Sequence, residues 1–115
     1  MCAQASGAIV VLITTPDKGE AKRLAEALVS LGLAACVQIL PEIESVYLWE
    51  REVQHEREIL ILVKTTAARF GELERQVRLL HSYRVPEILA VPATAISQPY
   101  LQWLIETLKP SSELP

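Results

Sequence analysis

At 115 residues the chain is long enough for one compact domain with a buried core and too short for two ordinary ones. Half of its residues are hydrophobic, and a net charge of −3 with acids and bases interspersed gives no reason to expect a nucleic-acid partner, which would call for a basic face or stripe. No apolar run approaches the roughly 18 residues of a membrane span, so no membrane partner is expected.

Met1 to Gly7 lacks the positive start and apolar stretch of a secretion signal, and two cysteines, Cys2 and Cys36, are too few for a disulfide framework. The expectation is a reduced, cytoplasmic protein with short tails at 1–7 and 110–115 around a single domain at 8–109. Ala8 to Ile13 is an uninterrupted apolar run, the mark of a strand covered on both faces and therefore central in its sheet. From Asp17 to Leu31 the apolar positions Ala21, Leu24, Ala25, Leu28 and Leu31 share one helical face, with Lys18, Glu20, Lys22, Arg23 and Glu26 on the other. Asp17 followed by Glu20 resembles a capping box, and Gly32 suits the residue just past the helix end.

Leu33 to Leu40 is a second apolar run, short and rich in small and branched side chains, which predicts a strand holding Cys36. Pro41 removes a ladder donor and places this strand at an edge or a bend. The pattern resumes from Ile43 to Trp49 with apolar groups on both faces, which a partner surface would explain. The charge-dense stretch Glu50 to Glu58 then leads into Ile59–Val63, so the two arms form a long projecting hairpin. Thr66 is placed to cap a second helix with core face Phe70, Leu73, Val77 and Leu80, a surface pair Glu74 and Arg78, and an end near His81 and Ser82. Ile88–Val91 is the fourth strand, marked as an edge by Pro92. A last helix spans Tyr100 to Leu108, with Leu101, Leu104, Ile105 and Leu108 on one side.

This order fits a split βαββαβ fold of the α+β class: an antiparallel four-stranded sheet with its uniformly apolar strands in the middle, its proline-bearing strands at the edges, and both long helices on one face. The other face then carries too few polar residues to be solvated, which points to a homo-oligomer.

The segments Leu33-Ala34-Ala35-Cys36-Val37, Ser45-Val46-Tyr47-Leu48-Trp49, Leu62-Val63-Lys64-Thr65, His81-Ser82-Tyr83-Arg84-Val85-Pro86-Glu87-Ile88 and Tyr100-Leu101-Gln102-Trp103 resemble, in order and spacing, the CutA divalent-ion tolerance family. The resemblance covers about residues 8 to 108. It implies a ferredoxin-like homotrimer with the extra C-terminal helix, in which hairpins and final helices reach neighbouring subunits, and an association with tolerance to copper and other divalent ions. Three places depart from the family pattern: Arg51 stands where glycine is usual in the hairpin, Ser82 replaces a proline, and Ala95-Ile96 replaces Glu-Gly.

The resemblance matches Cys36 and His81 to the family's cysteine and histidine, a thiolate and an imidazole suited to Cu²⁺ or another divalent metal. Cys36 suits a small buried strand residue better still, and His81 also suits a cap on the second helix's C-terminus. No Cys-x-x-Cys or His-x-x-x-His spacing occurs, so any metal site is expected to be weak or shared between subunits. Lys64, Tyr83, Arg84 and Glu87 group near strand ends, either as an anion cleft between subunits, by fold-level analogy with the trimeric PII signalling proteins, or as ion pairs that fix the assembly. Tyr47, Trp49, Tyr100 and Trp103 are expected as interface anchors, and His55 as a solvated residue. No serine–histidine–acid order, nucleophile elbow or phosphate loop is present, so no enzyme is expected. The leading expectation is a metal-binding, metal-responsive trimer, and the alternative is a small-anion sensor or interaction scaffold.

Overall fold

The computed structural model describes residues 7–108; Cys2 and the expected tails, Gly7 apart, lie outside them. The elements are β1 (Ala8–Thr15), α1 (Lys18–Ser30), β2 (Cys36–Ile39), β3 (Ile43–Trp49), β4 (Glu52–Thr66), α2 (Phe70–Leu80), β5 (Ile88–Pro92) and α3 (Gln98–Thr107). A short 3₁₀ turn at Ala67–Arg69 leads into α2.

β1 and β4 are the central strands, antiparallel in the register Ala8 opposite Thr66 through Thr15 opposite Ile59. β2 lies on the far side of β4 and β5 on the far side of β1, giving the order β2-β4-β1-β5. The two proline-bearing strands are therefore at the edges, and Pro92 pairs with Ile9 where its missing donor faces no further strand. The outer half of β4 pairs with β3 from Ile43 opposite Glu58 to Trp49 opposite Glu52, and this hairpin projects to give a molecule 51 Å long and 23 Å thick. This is the ferredoxin-like arrangement the sequence predicts, with the long second strand divided at Pro41 into β2 and β3.

Side-chain alternation gives the sheet two unlike faces. Val11, Ile13, Ile61 and Val63 point to the helices and are fully buried with Ala21, Leu24 and Leu28 of α1 and Leu73 and Val77 of α2. Val10, Leu12, Leu60, Leu62, Cys36, Leu89 and Val91 belong to the alternate positions of the same strands, and none of these is fully buried. Leu104 and Leu108 of α3 form a separate small cluster with Ala35, and the Arg69 guanidinium donates to the Leu108 carbonyl.

Local chemistry explains the helix ends. The Asp17 carboxylate accepts the Glu20 N–H at 2.8 Å, which caps α1. At the other end Gly32, at φ +72°, allows Gly32 N–H to reach Val29 O and Leu33 N–H to reach Leu28 O, a Schellman closure with Leu28 and Leu33 both in the core. Three expectations need correction. Glu20, placed on the solvated face, is buried, because its carboxylate is drawn to the backbone of the chain beyond α2. Thr66 makes no capping hydrogen bond, since the 3₁₀ turn intervenes before α2 begins. Leu31 and Leu80, assigned to core faces, sit at helix termini beyond the sheet's cover and are exposed.

The hairpin turns through Glu50 and Arg51 at φ +51° and +68°, both in the left-handed region. Such a two-residue connection favours glycine at its second position, so Arg51 holds a conformation that disfavours any Cβ. Arg51→Gly is expected to stabilise the fold by about 1 kcal/mol in chemical denaturation, and a loss of stability would contradict this reading of the turn.

Candidate functional site

The expected site residues fall in three separate places. Cys36 begins the edge strand β2 opposite Lys64, and its thiol is free and half-buried. On the same face the Lys64 ammonium donates to the side-chain carbonyl of Gln38. The Tyr100 phenol on α3 is pushed above its ordinary pKa by burial and then by the nearby Cys36. Tyr100 and Trp103 form a tilted ring pair with centroids 5.4 Å apart.

His81 ends α2 at the other end of the sheet, its ring buried. Nε2 lies 2.7 Å from the Thr14 carbonyl. A carbonyl only accepts, so Nε2 carries the proton and Nδ1 is the acceptor, taking the Tyr83 N–H at 3.0 Å. The Glu20 carboxylate stands 3.3 Å from Nδ1 and accepts the Ser82 N–H at 2.9 Å. Both imidazole nitrogens are thus spent on the protein, and what they hold is the path of the chain after α2. As folded in the single chain, His81 has no free lone pair to offer a metal.

Cys36 and His81 are also far apart. Cys36 is level with Lys64 and hence with Val10, whereas His81 touches Thr14. Four residues of strand and two interstrand steps separate them, roughly 16 Å at ordinary strand spacings. Among the described residues no group of three or more His, Cys, Asp or Glu is arranged to hold a metal ion.

The third place is the base of the hairpin. Tyr83 OH donates to the buried Glu58 carboxylate at 2.9 Å. Burial, that hydrogen bond and the charges of Glu58 and Glu56 push the Tyr83 phenol far up from its ordinary value. Glu87 is raised by desolvation first and by the Glu58 charge second, and Tyr47, itself exposed, by partial desolvation and the charges of Glu56 and Glu58. Lys64 is six residues from Glu58 along β4, roughly 20 Å in an extended strand, so one chain does not join it to Tyr83 and Glu87. Arg84 is apart again, facing Gly71, Glu74, Arg75, Arg78 and Leu79 around a depression of about 430 Å³ on α2. Within one chain, Lys64 and Arg84 therefore stand apart from Tyr83 and Glu87.

Sequence reasoning missed Glu58 and Glu20. Glu58 lies at the end of a charged stretch that reads as solvated, and Glu20 sits among exposed charges. Only the loop between α2 and β5, which brings Tyr83 and Ser82 to them, removes both from water. The four expected anchors Tyr47, Trp49, Tyr100 and Trp103 are all exposed on the single chain, as are Val46, Leu48 and Val53 on the hairpin and Leu89 and Val91 on β5.

An antiparallel α+β domain with a projecting hairpin, an uncovered apolar sheet face and a free cysteine on that face defines the class. The model of the CutA1 divalent ion tolerance protein family matches residues 9–107, and the chain belongs to that family. It is 48% identical over 97 residues to the divalent-cation tolerance protein CutA of Thermus thermophilus, covering 84% of this chain and 94% of that protein. It is 44% identical to the chloroplastic protein CutA 1 of rice over 90% of this chain but only 58% of that longer protein. The solved structure of the periplasmic divalent cation tolerance protein CutA from Archaeoglobus fulgidus superposes with a TM-score of 0.86 at 35% identity, covering 89% of this chain and 99% of that one.

Because Glu87 is raised above its ordinary value of 4.5, the folded chain binds its proton more tightly than the unfolded chain does. The stability this group contributes is full below that ordinary value and is lost as pH rises through the folded one. Glu87→Gln is expected to raise Tm at pH 7 and to leave it unchanged below about pH 4; an equal effect at both pH values would remove the electrostatic explanation.

Proposed function

We propose that this chain works as a homotrimer in tolerance to divalent ions, binding copper or a similar cation through Cys36 in a site completed only by assembly. The observation that carries the reading is the position of Cys36: a free, half-buried thiol on the sheet face opposite α1 and α2, with Tyr100 of α3 nearby. Thiolate is a soft donor that prefers copper and zinc over magnesium or calcium. One thiol with a lysine ammonium beside it does not make a strong cation site, so further donors come from other subunits or from solvent.

The apolar positions on the open face and the hairpin aromatics support assembly, since a patch of that extent is seldom left in water. Trp49, Tyr47, Tyr100 and Trp103 are its anchors, large amphipathic side chains of the kind enriched at interface centres. A cytoplasmic location is part of the proposal, because a reducing compartment keeps Cys36 a thiol. Nothing in the sequence argues for catalysis.

Sedimentation equilibrium should give three chains per particle, and Trp49→Glu or Leu62→Glu should dissociate it; a wild-type monomer would overturn the assembly. Calorimetric titration with Cu²⁺ and Zn²⁺ should show binding that Cys36→Ser weakens about tenfold or more and that His81→Gln leaves intact. Equal binding by wild type and Cys36→Ser would reject the thiol as ligand.

A further inference from the structure

The acidic chain carries a local reversal of charge on α2. On α2, Gly71, Glu74, Arg75, Arg78 and Leu79 share one helical face, and Arg84 in the following loop faces the same depression of about 430 Å³. Three guanidinium groups against one carboxylate line it, whereas the whole chain has a net charge of −3.

The three arginines are not equally occupied. Arg75 is held in a close pair with Glu72 at 2.6 Å. Arg78 meets Glu74 only at 4.0 Å on an exposed surface, too far for a hydrogen bond and worth little in water. Arg84 makes no ion pair among the described residues. Its backbone is nonetheless well placed, because the two preceding residues are pinned: Ser82 N–H to Glu20 and Tyr83 N–H to His81. Two available guanidinium forks, one on a helix and one on a braced loop, approach the same space, and the third adds charge.

We propose that this depression binds a phosphate monoester with an apolar or planar body. Guanidinium forks match the oxygens of a phosphate two at a time, and forks arriving from different elements suit a tetrahedral dianion better than a planar carboxylate. Leu79, two-thirds exposed, offers the apolar contact beside them. Gly71 has open space where a Cβ would stand, so a ligand can lie close against the helix there. The volume falls within the roughly 300–1,000 Å³ usual for small-molecule sites. This site is separate from Cys36 and does not depend on a metal.

The test is calorimetric titration at fixed ionic strength with AMP, adenosine and inorganic phosphate. AMP should bind at least about tenfold more tightly than either fragment. Arg84→Gln and Arg78→Gln should each weaken AMP by about tenfold or more, the loss of one charge-assisted contact. Arg57→Gln on the exposed hairpin removes one positive charge elsewhere and should leave AMP binding unchanged. All three substituted residues are exposed, so circular dichroism should show intact folds. Failure of AMP to saturate at millimolar concentration, binding unchanged by Arg84→Gln, or an equal loss in Arg57→Gln would each overturn the site. Inorganic phosphate binding as tightly as AMP would overturn the role given to Leu79.

Discussion

The antiparallel pairing of β1 with β4 is the constraint on which everything else rests. Eight residue pairs in register put Ile9, Val11, Ile13 and Thr15 on the same side as Thr65, Val63, Ile61 and Ile59. Both helices close over that side, and burial of these branched side chains drives the fold. Strand parity then leaves Val10, Leu12, Leu62, Leu60 and, through β2, Cys36 on the other side. A one-residue slip would exchange the two sets, so the helix-facing core and the open face are consequences of one register.

From that pairing the functional geography follows. β4 is long enough to serve as a central strand at one end and a hairpin arm at the other, so its even-numbered residues run along a single face from Lys64 to Glu58. Chemistry at the two ends is kept apart by the length of the strand. The thiol and lysine lie at one end; Tyr83, Glu58 and Glu87 lie at the other, with His81 inside the fold holding the loop that delivers Tyr83. In a family associated with divalent ions, the described residues of the single chain thus hold scattered donors and no closed site.

Much of this was legible in the sequence. The apolar runs at Ala8–Ile13 and Ile59–Val63 identified the central strands, because only a strand covered on both faces needs no polar alternation. Pro41 and Pro92 identified the edges, and Asp17 and Gly32 the limits of α1, each through a backbone requirement local to a few residues. Arg51 was recognisable as an anomaly, and its positive φ shows the physical reason. What local pattern could not show was the fate of side chains that meet only after folding. Glu20 and Glu58 look solvated in their own segments and become buried acceptors because the loop 81–83 reaches them.

The sequence by itself determined the family, the order of elements, the sheet arrangement and the apolar character of the uncovered face, since hydrophobic periodicity, proline and glycine act over short spans of chain. Only the tertiary structure decided the chemistry of individual groups. It commits both nitrogens of His81 to the backbone, separates Cys36 from His81 and Lys64 from Glu87, and gathers Arg84 with Arg75 and Arg78. Those outcomes depend on which side chains from distant segments share a surface, and that is settled by strand register and loop path rather than by residue type.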